Sequence, residues 1–372
     1  RFPHFFKISS KAEEKPKIHV CWISNAPSPY KVAFMNRLQK SVALHVLFET
    51  KAEADREKSW YTYDFSGFKA EFISLRNARK VILRSAAEND ILINSDYSSI
   101  FGQFAVWAFH RLHKPVIMHA DGGLAVKRWF ADGLICKVMG KNDYFLSSGL
   151  ETDRYFHYYG IPDKRIFHYH FACMNENELQ KAKTARMQKD TLRQKLGLKD
   201  GPILFSVGQQ IPRKGYDILT RAMIGLEHIE LYIAGGKPER SVKALIDQHH
   251  LTNIHFIGFK TKEELADYYA AADLFVLPTR YDIWGLVINE AMAYGLPIIS
   301  TDRCVAALHF QALAHNARIV PSEDVQAMHQ AIADLCIDPL RREEMAEDGL
   351  RVIQAYSDEN MTIDFLAAIT TV

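Results

Sequence analysis

Short apolar runs alternate with amphipathic stretches along most of the chain. An apolar run of about 4–8 residues bounded by turn residues reads as a strand, and apolar residues recurring every three or four positions read as a helix. In the first half this predicts strands over Lys17 to Ser24, Ala43 to Glu49, Glu71 to Leu75, Asp90 to Asn94 and Pro115 to His119. Between them, Tyr30 to Lys40 spaces Val32, Phe34, Met35 and Leu38 as a helix does, and Ile100 to Leu112 reads the same way. A polar, Lys-rich segment from Asn175 to Lys199 follows, with a helix predicted over Glu176 to Gln188 and a stop at Gly197. The pattern then restarts. Strands are predicted over Pro202 to Val207, Ile229 to Ala234, Ile254 to Phe256, Leu274 to Pro278 and Pro297 to Ser300. The intervening helices are Tyr216 to Met223, Ser241 to His249, Glu263 to Ala271 and Leu286 to Tyr294. From Arg341 the pattern is helical to the end, with a break and restart at Ser357-Asp358-Glu359-Asn360. Strands separated by helices imply parallel sheets covered on both faces. The chain therefore reads as two α/β halves that repeat an architecture and not a sequence.

The length of 372 residues agrees with two domains, at about 150 residues each. With 48% hydrophobic and 24% charged residues, the composition is that of a globular protein and excludes a disordered or collagen-like chain. A formal net charge of +2 argues against a dedicated nucleic-acid binder. No apolar run reaches the ~18 residues of a membrane span. The start, Arg1-Phe2-Pro3-His4-Phe5-Phe6, lacks the order of a signal peptide and reads as a natural arm or an added remnant, outside the fold. Five cysteines, an odd number without a C-x-x-C pair, read as a reduced cytosolic chain with neither a disulfide framework nor a zinc site.

Four stretches carry candidate chemistry. The first, Ser206 to Gly215, follows a strand and precedes a helix. Gly208 allows close backbone approach, and Arg213 and Lys214 could neutralise phosphates, although basic residues in an ordinary βα turn look the same. The second, Ala234-Gly235-Gly236-Lys237-Pro238, is a tight turn whose amides could face an anion. The third, Pro278 to Ala293, holds Asp282 on a loop and Glu290 in the helix that opens near Gly285. Amides at Gly285, Leu286 and Val287 would favour an anion, and two carboxylates in one crevice suit a polyhydroxylated ligand. The competing reading is a capping Asp and a solvated Glu. The fourth, Met118-His119-Ala120-Asp121-Gly122-Gly123, places a His and a carboxylate at a strand end, where either acid-base or structural use is open. His168-Tyr169-His170 could present two imidazoles, but no third metal ligand lies near in sequence. A G-x-G-x-x-G after the first strand, a G-x-x-x-x-G-K-[ST] and a G-x-S-x-G are all missing, which disfavours dehydrogenases, P-loop enzymes and nucleophile-elbow hydrolases.

Taken together, these stretches resemble glycosyltransferase family 4, retaining nucleotide-sugar-dependent enzymes with the two-domain GT-B fold. The resemblance is carried mainly by Ile203 to about Ala306. Its ordered marks are Gly208, Lys214-Gly215, Gly235-Gly236, Gly258, Ala271-Ala272-Asp273-Leu274, Asp282 to Glu290, Gly295-Leu296-Pro297 and Thr301-Asp302. In the first half, Ser24 to Tyr30, Asp121-Gly122-Gly123 and Tyr159 to Pro162 look like members that build bacterial surface polysaccharides.

The resemblance implies two Rossmann-like domains facing each other across a cleft. Residues 1–170 would form an acceptor domain, completed by about 355–372 through a helix that crosses back. Residues 171–354 would form the donor domain. Lys214 would bind the donor diphosphate, Glu290 the ribose, and Asp282, at the first acidic place of the E-x7-E pattern, the donor sugar. Gly208, Gln209, Arg213, Gly235, the Gly258-Phe259-Lys260 loop and the backbone of Gly285, Leu286 and Val287 would complete the donor site. His119 or Asp121 would stand at the reacting carbon, and Pro29, Tyr30, Gly122 and Gly123 would meet the acceptor. Two departures stand out: Gln209 replaces the usual Arg, and Asp282 replaces the usual Glu.

The expected activity is transfer of a sugar from a nucleotide sugar to a glycan or lipid-linked glycan in polysaccharide or glycoconjugate biosynthesis. No organic cofactor is implied. A UDP-sugar is favoured as co-substrate, with a GDP-sugar close behind, and no D-x-D is present to hold a metal. The alternatives are a non-catalytic sugar-nucleotide-binding assembly subunit and a sugar-nucleotide epimerase. The expected location is cytoplasmic. Lys127-Arg128-Trp129-Phe130, with Lys137 and Lys141, mixes cations and aromatics as interfacial helices do, so peripheral contact at the inner membrane face is open beside ordinary packing.

Overall fold

In the computed structural model of the chain, residues 17–51, 64–127 and 132–372 are described. Two parallel sheets carry the fold. The first is built from β1 (His19–Ser24), β2 (Ala43–Phe48), β3 (Lys69–Phe72), β4 (Ile91–Asn94), β5 (Val116–Ala120), β6 (Tyr144–Ser147) and β7 (Ile166–His168), in the order β3-β2-β1-β4-β5-β6-β7. The second is built from β8 (Ile203–Val207), β9 (Glu230–Ala234), β10 (Ile254–Phe256), β11 (Leu274–Leu277), β12 (Ile298–Thr301) and β13 (Ala317–Val320), in the order β10-β9-β8-β11-β12-β13. The central strands are buried on both faces, which is why β1, β4, β8 and β11 read as near-continuous apolar runs. By packing, the chain divides into two compact units, residues 1–116 and 117–372.

The predicted helices form with identifiable ends. Asn175 and Glu178 make a reciprocal capping box at the start of Glu176–Ala185, and Thr261 and Glu264 make another at Lys262–Ala271. Gly197, at φ 63°, ends the helix Lys189–Leu196. Ser357 caps the last helix, Asp358–Thr371, by accepting from the Asn360 amide, so the predicted break is where the helix restarts. That helix packs on β7: the Asp364 carboxylate accepts from the His170 amide at 2.9 Å, and the Phe365 ring lies 5.1 Å from Tyr169.

Among the predicted strands β3 departs most from its expected span, and β6, β7 and β13 were not predicted. β3 begins at Lys69 and ends at Phe72, with His45 opposite Lys69 and Phe48 opposite Phe72. The Ile73 amide still reaches the Phe48 carbonyl at 2.9 Å, but the Ser74 amide then donates to Asn77 Oδ1 at 2.7 Å. This turn takes the chain off the sheet and leaves Leu75 82% exposed.

Candidate functional site

In open parallel sheets, ligands bind beyond the carboxyl ends of the strands. The loops after β8, β9 and β10 meet there, backbone to backbone. The Gly208 amide donates to the Ala234 carbonyl at 3.0 Å, and the Gly235 amide to the Gly258 carbonyl at 2.9 Å. Gly235 sits at φ 126°, and a Cβ on it would overlap the Gly208 carbonyl oxygen, so only glycine fits. Phe259 is 54% exposed, and its ring edge would lie 3.3 Å from a Cβ on Gly236. Gln209 is half-buried in the same turn.

The loop after β11 is anchored on both sides. The Asp282 amide donates to the Arg303 carbonyl at 2.9 Å, and the Asp282 carbonyl accepts from the Val305 amide at 3.2 Å. Trp284 is 3% exposed, donates from Nε1 to Asn289 Oδ1 at 2.9 Å and packs 5.5 Å from Phe171. Gly285, at φ 101°, opens the helix Leu286–Ala293. The first amides of a helix have no partner within it, so the turn at Gly285, Leu286 and Val287 presents donors and a positive dipole end.

Asp282 is 8% exposed. Lys214 Nζ lies 2.7 Å from its Oδ2, and Arg213 Nη1 lies 2.9 Å from its Oδ1. Arg213 also donates to the Tyr281 carbonyl at 2.8 Å. Lys214, expected at the donor diphosphate, Arg213 beside it and Asp282, expected at the donor sugar, are therefore one cluster. Arg213 faces the same carboxylate as Lys214. Glu290 accepts from the Tyr269 hydroxyl at 2.8 Å, and burial pushes its carboxyl above the usual range. The same burial, together with the Glu290 charge, pushes the Tyr269 phenol well above its ordinary value. Lys262, a short distance away, is paired with Glu178 at 2.7 Å.

His119 ends β5 and is 3% exposed. Its Nε2 lies 3.0 Å from the Tyr169 hydroxyl, which donates its one proton to the Ala120 carbonyl at 2.9 Å. The His119 Nε2 is therefore the donor of that pair. Asp121 Oδ1 lies 3.5 Å from the same nitrogen. A Cβ on Gly122 would overlap the Ile283 carbonyl oxygen, which brings the 121–123 segment against the 282–285 loop. Gly123 is packed by the Tyr155 ring, 2.7 Å from where its Cβ would be. Pro29 and Tyr30 lie in the other compact unit, where they open the helix Pro29–Leu38 after β1.

His168 and His170 do not share a ligand: His168 faces Asp153 at 3.0 Å and His170 faces Asp364 at 2.8 Å. Among the described residues no group of three or more His, Cys, Asp or Glu is placed to hold a metal ion. Arg128, Trp129 and Phe130 of the basic aromatic stretch lie outside the described residues. Among the described residues no helix is long and apolar enough to cross a membrane. Sequence reasoning missed Tyr169, Phe365, Tyr269 and Trp284 as supports of the site. Only Trp284, within the quoted loop, carried a local signal.

The arrangement of two parallel α/β sheets is the GT-B fold of known glycosyltransferases. The structure superposes on HepE of Anabaena, solved in complex with UDP, with a TM-score of 0.77 at 14% identity, covering 95% of this chain and 100% of that one. It also superposes on WaaG, a glycosyltransferase involved in lipopolysaccharide biosynthesis, with a TM-score of 0.60 at 15% identity, covering 92% and 99%. Residues 188–352, which hold the whole second sheet together with Lys214, Asp282 and Glu290, match the family model described as Glycosyl transferases group 1. Among curated proteins, the chain is 32% identical over 171 residues to a GDP-mannose-dependent phosphatidylinositol monomannoside mannosyltransferase of Mycolicibacterium smegmatis (42% of this chain, 44% of the relative). It is 27% identical over 175 residues to the lipopolysaccharide core biosynthesis glycosyltransferase LpsE of Rhizobium meliloti (46% and 51%). The chain thus spans about half the length, or less, of the curated relatives it matches.

Proposed function

We propose that this chain is a retaining glycosyltransferase that moves a sugar from a nucleotide sugar to a glycan or lipid-linked glycan in polysaccharide or glycoconjugate biosynthesis. The observation that carries this reading is the convergence of Lys214, Arg213 and Asp282 with the amide-rich helix start at Gly285. Breaking the bond between the anomeric carbon and the diphosphate builds negative charge on the leaving group. Two cations and a helix N-terminus fixed in advance stabilise that charge without reorganising. In this reading Lys214 exchanges Asp282 for the diphosphate, and the freed carboxylate accepts from sugar hydroxyls. Glu290, oriented by Tyr269, accepts from the ribose, and Phe259 offers an exposed ring to the base. His119 or Asp121 faces the reacting carbon, and Gly122, Gly123, Pro29 and Tyr30 serve the acceptor. The relatives' use of GDP-mannose and the UDP in HepE leave both nucleotides in the test, with UDP favoured. The chain acts in the cytoplasm or at the inner membrane face.

The test is a donor screen on the purified chain with UDP-, GDP-, ADP- and dTDP-sugars, with and without EDTA, reading released nucleotide and thermal shift. One donor should be cleaved, EDTA should not matter, and Lys214→Met should cut turnover by about 10²–10³. Binding of a nucleotide without turnover, in the presence of glycan acceptors, would favour the assembly-subunit reading. Absence of any nucleotide-dependent shift would refute both.

A further inference from the structure

Gln210 is the middle residue of a three-residue turn in the loop after β8. The Ile211 amide donates to the Gln209 carbonyl at 2.9 Å, which pins the backbone on both sides of it. The side chain folds back over the same loop, and its Nε2 donates to the Gly208 carbonyl at 3.3 Å. That contact fixes which end of the carboxamide is the oxygen, because the reversed amide would set two oxygens face to face. Gln210 Oε1 is buried and has no hydrogen-bond partner among the described residues. A buried acceptor without a donor is uncommon in a folded chain, because its desolvation is left uncompensated. Packing alone does not call for it, since a methionine would fill a similar volume without that penalty.

The neighbours of Gln210 are those of the candidate donor site. A Cβ on Gly236 would stand 3.8 Å from Gln210 Cγ and 3.3 Å from the Phe259 ring, so the glutamine stem and the exposed ring flank the same backbone. Glu290, held by Tyr269 on a different helix, is the group offered to the ribose. An acceptor beside an exposed aromatic ring suits the base: the ring stacks on its face, and the acceptor reads its edge. We infer that Gln210 selects the donor nucleotide by accepting, at Oε1, the ring N–H of a lactam or imide base. Uracil and thymine carry that hydrogen on N3 and guanine carries it on N1. Adenine and cytosine present a bare ring nitrogen there, which would set two acceptors against each other. The long 3.3 Å bond to Gly208 leaves the carboxamide free to tilt toward a base that docks beside it. The inference rests on the nucleotide-sugar reading and narrows it to donors built on uridine, thymidine or guanosine diphosphate.

The experiment is calorimetric titration of the full chain, wild type against Gln210→Met, with UDP, GDP, dTDP, ADP and CDP and with the ring-methylated 3-methyl-UDP and 1-methyl-GDP. Wild type should bind UDP or GDP about tenfold more tightly than its methylated counterpart. Gln210→Met should bind the two alike and leave ADP and CDP unchanged. Without nucleotide, the variant should melt about 2–4 °C higher, because the uncompensated acceptor is gone. A glutamine with only a structural role gives the opposite pattern, lower melting and an equal loss for every nucleotide. That pattern, or nucleotide binding that the substitution and the methyl group leave untouched, would overturn the inference while the sugar-transfer reading stands. A preference for UDP over 2′-deoxy-UDP that vanishes in Gln210→Met would also overturn it, by assigning Oε1 to the ribose. Failure of wild type to bind any nucleotide would overturn both.

Discussion

Replacing Asp282 by asparagine separates the two jobs of the cationic cluster. Lys214 and Asp282 each keep 12% side-chain exposure at a 2.7 Å separation, while Arg213 is 41% exposed. A charge-assisted hydrogen bond of the first kind is worth about 1.5–3 kcal/mol, and an exposed pair of the second kind about 0.2–1 kcal/mol. An asparagine keeps one acceptor but turns an amide donor toward the other cation. The expected loss of stability is about 2 kcal/mol, or roughly 4–8 °C in melting temperature for a unit of this size. The same substitution removes the group that competes with a diphosphate for Lys214. Affinity for the preferred nucleoside diphosphate should therefore rise about tenfold, equivalent to ~1.4 kcal/mol. Turnover should fall about 10²-fold, because the freed carboxylate that accepts from the sugar hydroxyls and holds the sugar in place is lost from the donor complex. Calorimetric titration, thermal melting and donor turnover on one preparation read all three quantities. An Asp282→Asn variant with wild-type melting and weakened nucleotide binding would refute the reasoning, since it would mean that the carboxylate neither holds nor competes for the lysine.

Two further outcomes follow from the same unit. Gly215 sits at φ 70°, and a Cβ there would overlap the Pro278 carbonyl oxygen, so Gly215→Ala should cost about 2 kcal/mol or more, seen as a lower urea midpoint at unchanged slope. His309 is 5% exposed, accepts from the Leu150 amide at 3.3 Å and meets the Tyr356 hydroxyl at 2.5 Å. Burial pushes its pKa down from 6.5 to about 4, so the folded state holds it neutral while the unfolded chain protonates it. Its contribution is then complete above about 6.5 and is lost as pH falls toward about 4. Denaturant titrations at pH 7 and pH 5 should show a loss for wild type that shrinks in His309→Gln.

Five of the six strands of the second sheet were legible, since a parallel strand buried on both faces must be apolar at nearly every position, whereas the edge strand β13, with Arg318 exposed in it, was not predicted. β8 and β11 are such runs, and the glycines after β8, β9 and β10 mark where backbones touch. β3 was less legible, because at an edge the apolar run Phe72 to Leu75 outlasts the pairing and a side-chain turn at Asn77 decides where the strand ends. Residue types at the candidate site were also visible in advance: a Lys beside an Arg, an acidic residue on a loop, an acidic residue in a helix.

What the chain could not declare along its length is who meets whom. Lys214 and Asp282 are 68 positions apart, and Tyr269 and Glu290 are 21 apart. His119 and Tyr169 are 50 apart, and the packing of His119 on Phe365 and the approach of Gly122 to Ile283 join segments further separated than any of these. Local periodicity reports only the face each residue must bury, since that is set by its own helix or strand. Pairing, desolvation and the direction of a charge depend on elements brought together by the whole sheet, so they were decided only when the tertiary structure closed around them.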